Sequence, residues 1–103
     1  KFDESWAPGR ADIDWIEAAG NYVRLHLGAE SYLFRETMTR MEARLDARQF
    51  VRVHRSHIVN AERIKELQPW FNGESVVVLR SGTKLPLSRG YKDRLQEQVG
   101  RVF

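Results

Sequence analysis

Phe50 to Asn60 reads F-V-R-V-H-R-S-H-I-V-N, and the fold turns on how that run is divided. Val51 and Val53 at one end, and Ile58 and Val59 at the other, are β-branched residues that pack well on a pleated surface. Between them lie Arg52, His54, Arg55, Ser56 and His57, more donors than an ordinary buried strand needs. Two strand halves separated by a break resolve the conflict. The apolar ends anchor in a core, and Arg55 is held out on a short connection with His54 and Ser56 as its support. Arg, His and Ser at successive positions suit phosphate oxygens and base edges better than an apolar interior.

Upstream of this run, Thr37 to Arg48 has helical period. Met38, Met41 and Leu45 fall at i, i+3 and i+7, while Arg40, Arg44 and Arg48 line another face. Thr37 is the expected N-cap, and the two methionines read as core filler. Arg40 and Arg44, interspersed with Glu42 and Asp46, read as a solvated face. Earlier still the period is two. A short strand from Asp12 ends at Ala18-Ala19, and Gly20-Asn21 turns the chain into Tyr22 to Leu27. There Val23, Leu25 and Leu27 share one face, and Tyr22, Arg24 and His26 the other. Gly28-Ala29-Glu30 connects to Ser31–Arg35, centred on Tyr32-Leu33-Phe34, and completes a three-strand meander. Lys1 to Ala11 carries Pro8-Gly9 without periodicity and reads as a lead-in, of which residues 1–10 are the remnant of a linker.

Downstream, Ile64 to Gln68 reads as a strand closed by Pro69. Asn72-Gly73 is a strong hairpin signal leading into Ser75 to Arg80, where Val76 to Leu79 is expected to be buried on both faces. Ser81-Gly82 turns into Lys84 to Leu87. A helix then opens after Ser88 with Tyr91, Leu95 and Val99 as its stripe. The class is mostly β, α+β by element count, with roughly six or seven strands, one mid-chain helix and one short C-terminal helix. Phe50, Val53, Ile58, Ile64, Leu67, Val76, Val78 and Leu85 are the core candidates, and Asn60 is expected to bond backbone at the end of its strand.

The 103 residues suffice for one domain with a real core, and 42% apolar against 30% charged residues excludes wholesale disorder. The longest apolar run, Val76 to Leu79, falls far short of the roughly 18 residues of a membrane span. The absence of cysteine excludes a disulfide framework, a thiolate metal site and a cysteine nucleophile, and fits a cytoplasmic location. The opening K-F-D-E-S-W-A-P-G lacks the apolar region of a signal peptide, and its initial Lys suggests a domain cut from a longer chain. Net charge is +3, but residues 1–20 hold Lys1 and Arg10 against five acids, so the remainder is more basic than the total implies. Thirteen of the seventeen basic residues are Arg, which favours bidentate contacts to phosphate or guanine.

No catalytic constellation emerges, and no cofactor motif. His54 and His57 form H-x-x-H, but in a continuous strand positions i and i+3 face opposite ways; sharing a metal would require a turn or bulge. No serine sits in a G-x-S-x-G context, and the turn glycines belong to no phosphate loop. Basic and polar donors instead recur at connections: Asn21, Tyr22 and Arg24 at the first hairpin, His54, Arg55 and Ser56 in the central run, and Arg89 and Lys92 opening the last helix.

The run F-V-R-V-H-R-S-H-I-V-N, then I-K-E-L, V-V-V-L-R, S-G and L-P-L-S-R-G-Y in order, resembles the LytTR-type DNA-binding domain of bacterial response regulators and transcription factors. The earlier I-D-W-I-E-A-A-G-N-Y-V-R-L-H-L resembles its opening strands. The likeness covers about Ala11 to Gly100 and places the domain at residues 11–103. It implies elongated antiparallel β-sheets whose loops enter successive major grooves of double-stranded DNA. Base contacts would fall near Val23, on Arg55 and on Arg89, with Asn21, Tyr22 and Arg24 able to substitute for the apolar Val23. Ser56 and Lys92 would contact phosphate, and His54 would either orient its loop or join the contact. Implied partners are promoter repeats in duplex DNA, an upstream receiver or sensor domain, and a second copy on DNA. A β-rich protein-interaction or ligand-sensing module with basic loops is the competing reading. RNA binding lacks the paired aromatics of a stacking platform.

Overall fold

The structure, a computed structural model, describes residues 11–99. Residues 1–10, read above as a linker remnant, and the Val99 side chain of the helix stripe lie outside the described residues. In chain order the elements are β1 (Trp15–Ala19), β2 (Tyr22–Leu27), β3 (Glu30–Phe34), α1 (Met38–Arg44), β4 (Phe50–His54), β5 (His57–Asn60), β6 (Ile64–Pro69), β7 (Ser75–Leu79), β8 (Lys84–Leu87) and α2 (Arg89–Val99). Eight strands are therefore present among the described residues, one more than the upper end of the expected six or seven; Phe50–Asn60 divides into β4 and β5, as the break read there implies.

All pairings are antiparallel. One sheet has the order β3-β2-β1-β5-β4 and the second β6-β7-β8. The β4–β5 hairpin joins two cores. Phe50 and Ile58 enter a cluster with Ile13, Ile16, Val23, Leu25 and the α1 methionines, on one face of the first sheet. Val51, Val53 and Val59 point the other way, into a cluster with Val77, Leu79, Leu85, Leu87 and Leu95 from the second sheet and α2. Alternation of side chains along a strand makes this double use possible. The overall shape is elongated, 38 × 23 × 23 Å.

Asn60 is fully buried, and its amide donates to the carbonyls of Ala11 (3.1 Å) and Ile13 (2.8 Å) while its oxygen accepts from the Glu62 amide (3.0 Å). The bonding to backbone expected of Asn60 is therefore what ties residues 11–13, just ahead of β1, to β5.

Three details differ from the sequence reading. The mid-chain helix ends at Arg44 rather than Arg48. Asp46 accepts from the Arg48 amide through its side chain (2.9 Å) and from Gln49 and Phe50 through its carbonyl (both 2.9 Å), so a tight turn replaces the last helical turn. Leu33 is 48% exposed, because it pairs with Arg24 on the polar face of the first sheet, whereas Tyr32 and Phe34 lie opposite Leu25 and Val23 on the core face. Val76 is half-buried and Leu67 partly buried; Val76 pairs with Gln68 and Pro86 on the outer face of the second sheet, which no other element covers among the described residues. Thr37 does cap α1, accepting from the Arg40 amide at 3.1 Å.

Candidate nucleic-acid interface

Pairing directions collect the connections. β1 runs antiparallel to β5, with Glu17 opposite His57, so the Gly20-Asn21 turn and the Arg55-Ser56 turn lie at the same end of the first sheet. The Ala18 amide donates to the Ser56 carbonyl at 3.0 Å and ties the two together. Val23 pairs with Phe34, which brings Arg35 to the same end. The Ser88 amide donates to the Val53 carbonyl at 2.9 Å, setting the start of α2 beside the end of β4. Ser75 pairs with Leu87, so the β6–β7 connection joins this end too, and the Arg89 guanidinium donates to the Asn72 carbonyl.

The Arg55 turn is held from three sides. Arg52 donates to the Arg55 carbonyl (2.5 Å) and pairs with Glu42 of α1 (3.1 Å). The Ser56 amide donates to Nδ1 of His54 at 3.1 Å. An Nδ1 that accepts carries no proton, so the neutral imidazole is the form that supports the turn. The third tie is the Ala18 bond. Arg55 is exposed while its backbone is fixed.

A β-bulge between Arg52 and His54 leaves an extra residue on β4, and His54 pairs directly with His57. Their ring centroids are 5.1 Å apart. His57 also lies 5.7 Å from Trp15, which stacks on His26 at 4.0 Å; His26 in turn bonds Glu17 at 2.6 Å. Burial, followed by the neighbouring His54, holds the His57 pKa below its ordinary value, and its Nδ1 is buried without a hydrogen-bond partner. Among the described residues no three His, Cys, Asp or Glu side chains are grouped to hold a metal ion.

Val23 requires correction as a base-contact position. It is fully buried in the first core, pointing away from solvent. Turning it outward would forfeit about 1.5–3 kcal/mol of apolar burial. Asn21 and Tyr22 are exposed at the turn, whereas Arg24 lies inside β2, 3.9 Å from Glu17 and bonded to Ser31 at 3.4 Å, on the open polar face of the sheet. Arg89 is exposed, and Lys92, half-buried, follows three residues later on the same face of α2.

Two arginines not singled out as site residues join this end. Arg35 lies over the Tyr22 ring at 5.7 Å, and with Asn21, Thr37 and Arg40 it lines a cavity of about 440 Å³. Counting register outward from the Gly28 turn would have placed Arg35 beside Tyr22. The opposite end of the molecule is acidic: Asp12, Asp14 and Glu30 surround Arg63, which pairs with Asp14 at 2.9 Å.

Two antiparallel sheets with arginine-bearing turns gathered at one end define a β-rich domain with a basic, loop-built end. The sequence profile described as the LytTr DNA-binding domain matches residues 10–100. The chain belongs to the LytTR DNA-binding domain family. It is 37% identical over 86 residues to the sensory transduction protein LytT of Bacillus subtilis, covering 84% of this chain and 36% of that protein. It is 36% identical over 76 residues to the transcriptional regulatory protein LytR of Staphylococcus aureus, covering 74% of this chain and 31% of that one. The chain thus spans about a third of the length of these relatives. The fold also matches a solved LytTr DNA-binding domain of a Bacillus cereus response regulator, with TM-score 0.83 at 22% identity, covering 98% of this chain and 94% of the other. No helix among the described residues is long and apolar enough to cross a membrane.

Proposed function

We propose that this domain is the sequence-specific effector of a bacterial transcriptional regulator and binds double-stranded promoter DNA in the cytoplasm through the turns at its basic end, which enter successive major grooves. Arg55 and Arg89 read guanine by the bidentate fork that matches O6 and N7. Asn21 and Tyr22 serve the first turn, with Arg24 behind them. Ser56 and Lys92, joined by Arg35 and Arg40, contact phosphate and set register. His54 acts through its bond to Ser56, as a positioning residue for Arg55. An upstream receiver or sensor domain supplies control, in keeping with the names of the longer relatives, and two copies occupy repeated half-sites.

The observation that carries this reading is the exposed Arg55 on a backbone fixed from three sides, at an end shared with Arg89 and the first turn. A binding group that need not be ordered on contact loses less entropy in forming the complex.

The test is titration of duplexes selected from random sequence, at two salt concentrations, with Arg55→Ala, Arg89→Ala and Lys92→Ala alongside. Each arginine substitution is expected to cost about 1–3 kcal/mol on the preferred site and to relax preference locally. Lys92→Ala should weaken all sequences alike and reduce the salt slope by about 1. A wild-type domain without preference for any duplex would overturn the proposal.

A further inference from the structure

Trp70 and Phe71 are 61% and 69% exposed, the two most exposed large apolar side chains among the described residues. They form an edge-to-face pair with ring centroids 5.1 Å apart. Single exposed apolar side chains are ordinary on a protein surface, but two large aromatics packed together at a turn present a contiguous patch that favours an occupant. Their turn is a fixed one. The Trp70 amide donates to the Glu74 carbonyl at 2.8 Å, the Glu74 amide to the Phe71 carbonyl at 3.0 Å, and Asn72 and Gly73 follow Phe71 with φ of 56° and 80°.

The position of the tip says what covers it. Arg89 donates to the Asn72 carbonyl, and a Cβ placed on Gly73 would lie 3.1 Å from Arg89 Nε. Arg89 therefore touches the backbone of the turn that carries both aromatics, and whatever Arg89 reads lies within reach of the tip. Glu74 is the carboxylate of this turn. With Trp70, Lys84 and Pro86 it lines a separate cavity on the outer face of the second sheet, which Phe71 does not line. In the major groove the apolar group on a base edge is the C5-methyl of thymine.

We propose that Phe71, backed by the Trp70 ring, is a further DNA contact that packs on the C5-methyl of a thymine adjoining the base pair read by Arg89. The contact rests on the DNA-reading function above and adds to it a thymine preference at a position where no hydrogen bond is made.

The experiment uses the duplex selected by the wild-type domain, with each thymine replaced in turn by deoxyuridine, which removes only the methyl. One replacement beside the Arg89-dependent base pair should weaken wild-type binding about 4-fold, the worth of one buried methyl group. Phe71→Ala should weaken the parent duplex by at least as much and be insensitive to that replacement, while Phe71→Leu retains part of both effects. Phe71 is exposed at a turn, and circular dichroism checks that each variant keeps the wild-type fold. A flat deoxyuridine scan, or Phe71→Ala binding like wild type, with Arg55- and Arg89-dependent preference intact, overturns this contact alone and leaves the tip to a protein partner. Loss of all duplex preference in the wild type overturns the DNA reading and this contact with it.

Discussion

Replacing Asn60 tests the packing that holds the chain's lead-in to the body of the domain. The side chain is fully buried and satisfies three backbone groups, the Ala11 and Ile13 carbonyls and the Glu62 amide. Asn60→Ala leaves all three without this partner. At about 0.5–1.5 kcal/mol for each bond the loss is about 3 kcal/mol, a large fraction of a small domain's stability. Asn60→Asp separates hydrogen bonding from volume. Its oxygen can still accept from Glu62, but the second oxygen faces two carbonyls and repels them when ionised. The folded-state pKa of that Asp is therefore raised above the unfolded value of about 3.9. Above that value the folded state binds more protons than the unfolded, so stability relative to wild type falls as pH rises through the window. Urea unfolding followed by circular dichroism at pH 4.5 and 7.5 measures both effects, with midpoints compared at constant m. A loss below about 1 kcal/mol for Asn60→Ala would refute the accounting of three made bonds. A pH-independent gap between Asn60→Asp and wild type would refute the facing carbonyls. Asn60 lies at the end of the sheet away from the Arg55 turn, so DNA affinity of the folded fraction should be unchanged.

Glu42 receives both Arg52 and Arg94, so Glu42→Ala should cost about 1.5–3 kcal/mol in unfolding. It should also weaken DNA binding without touching DNA, because Arg52 steadies the Arg55 carbonyl; binding equal to wild type would sever that link. Gly73 has φ +80°, where a side chain costs about 1–2 kcal/mol, and its added Cβ would press on Arg89. Gly73→Ala should therefore lose stability and Arg89-dependent base preference together, the second read by repeating the duplex selection. The depressed pKa of His57 means that the unfolded state takes up a proton at higher pH than the folded state does. Stability should fall as pH drops through and below about 6.5, and His57→Gln should flatten that slope in urea midpoints between pH 7.5 and 5.5. Equal slopes would show that another group sets the acid sensitivity.

Local periodicity carried most of the fold. The alternation of Val23 and Leu25 against Tyr22 and Arg24 correctly pointed Val23 inward, while family likeness alone pointed it at DNA; strand parity is a hard geometric constraint, whereas a loop contact depends on where the turn begins. Asp46 was legible as a charge on a helix face, yet its side chain bonds the Arg48 amide and ends the helix early. That competition between side chain and helix is decided by tertiary packing. The gathering of the turns at one end could not be read from any single segment, because it follows from the pairing of β1 with β5 across forty residues. Arg35 and Phe71 were passed over for the same reason. Neither belongs to a polar cluster in sequence; Arg35 meets Tyr22 only through sheet register, and the turn that carries Phe71 meets Arg89 only through the start of α2.

Because the β4–β5 hairpin supplies Phe50 and Ile58 to one core and Val51, Val53 and Val59 to the other, neither sheet can melt and leave its partner intact. The amides of Val51 and Val59 should exchange with solvent only when the whole domain opens, the slowest class of hydrogen exchange, and thermal unfolding should be a single cooperative transition. The turn that carries Arg55 is thereby mounted on the most persistent part of the chain, and it keeps its shape for as long as the domain is folded at all.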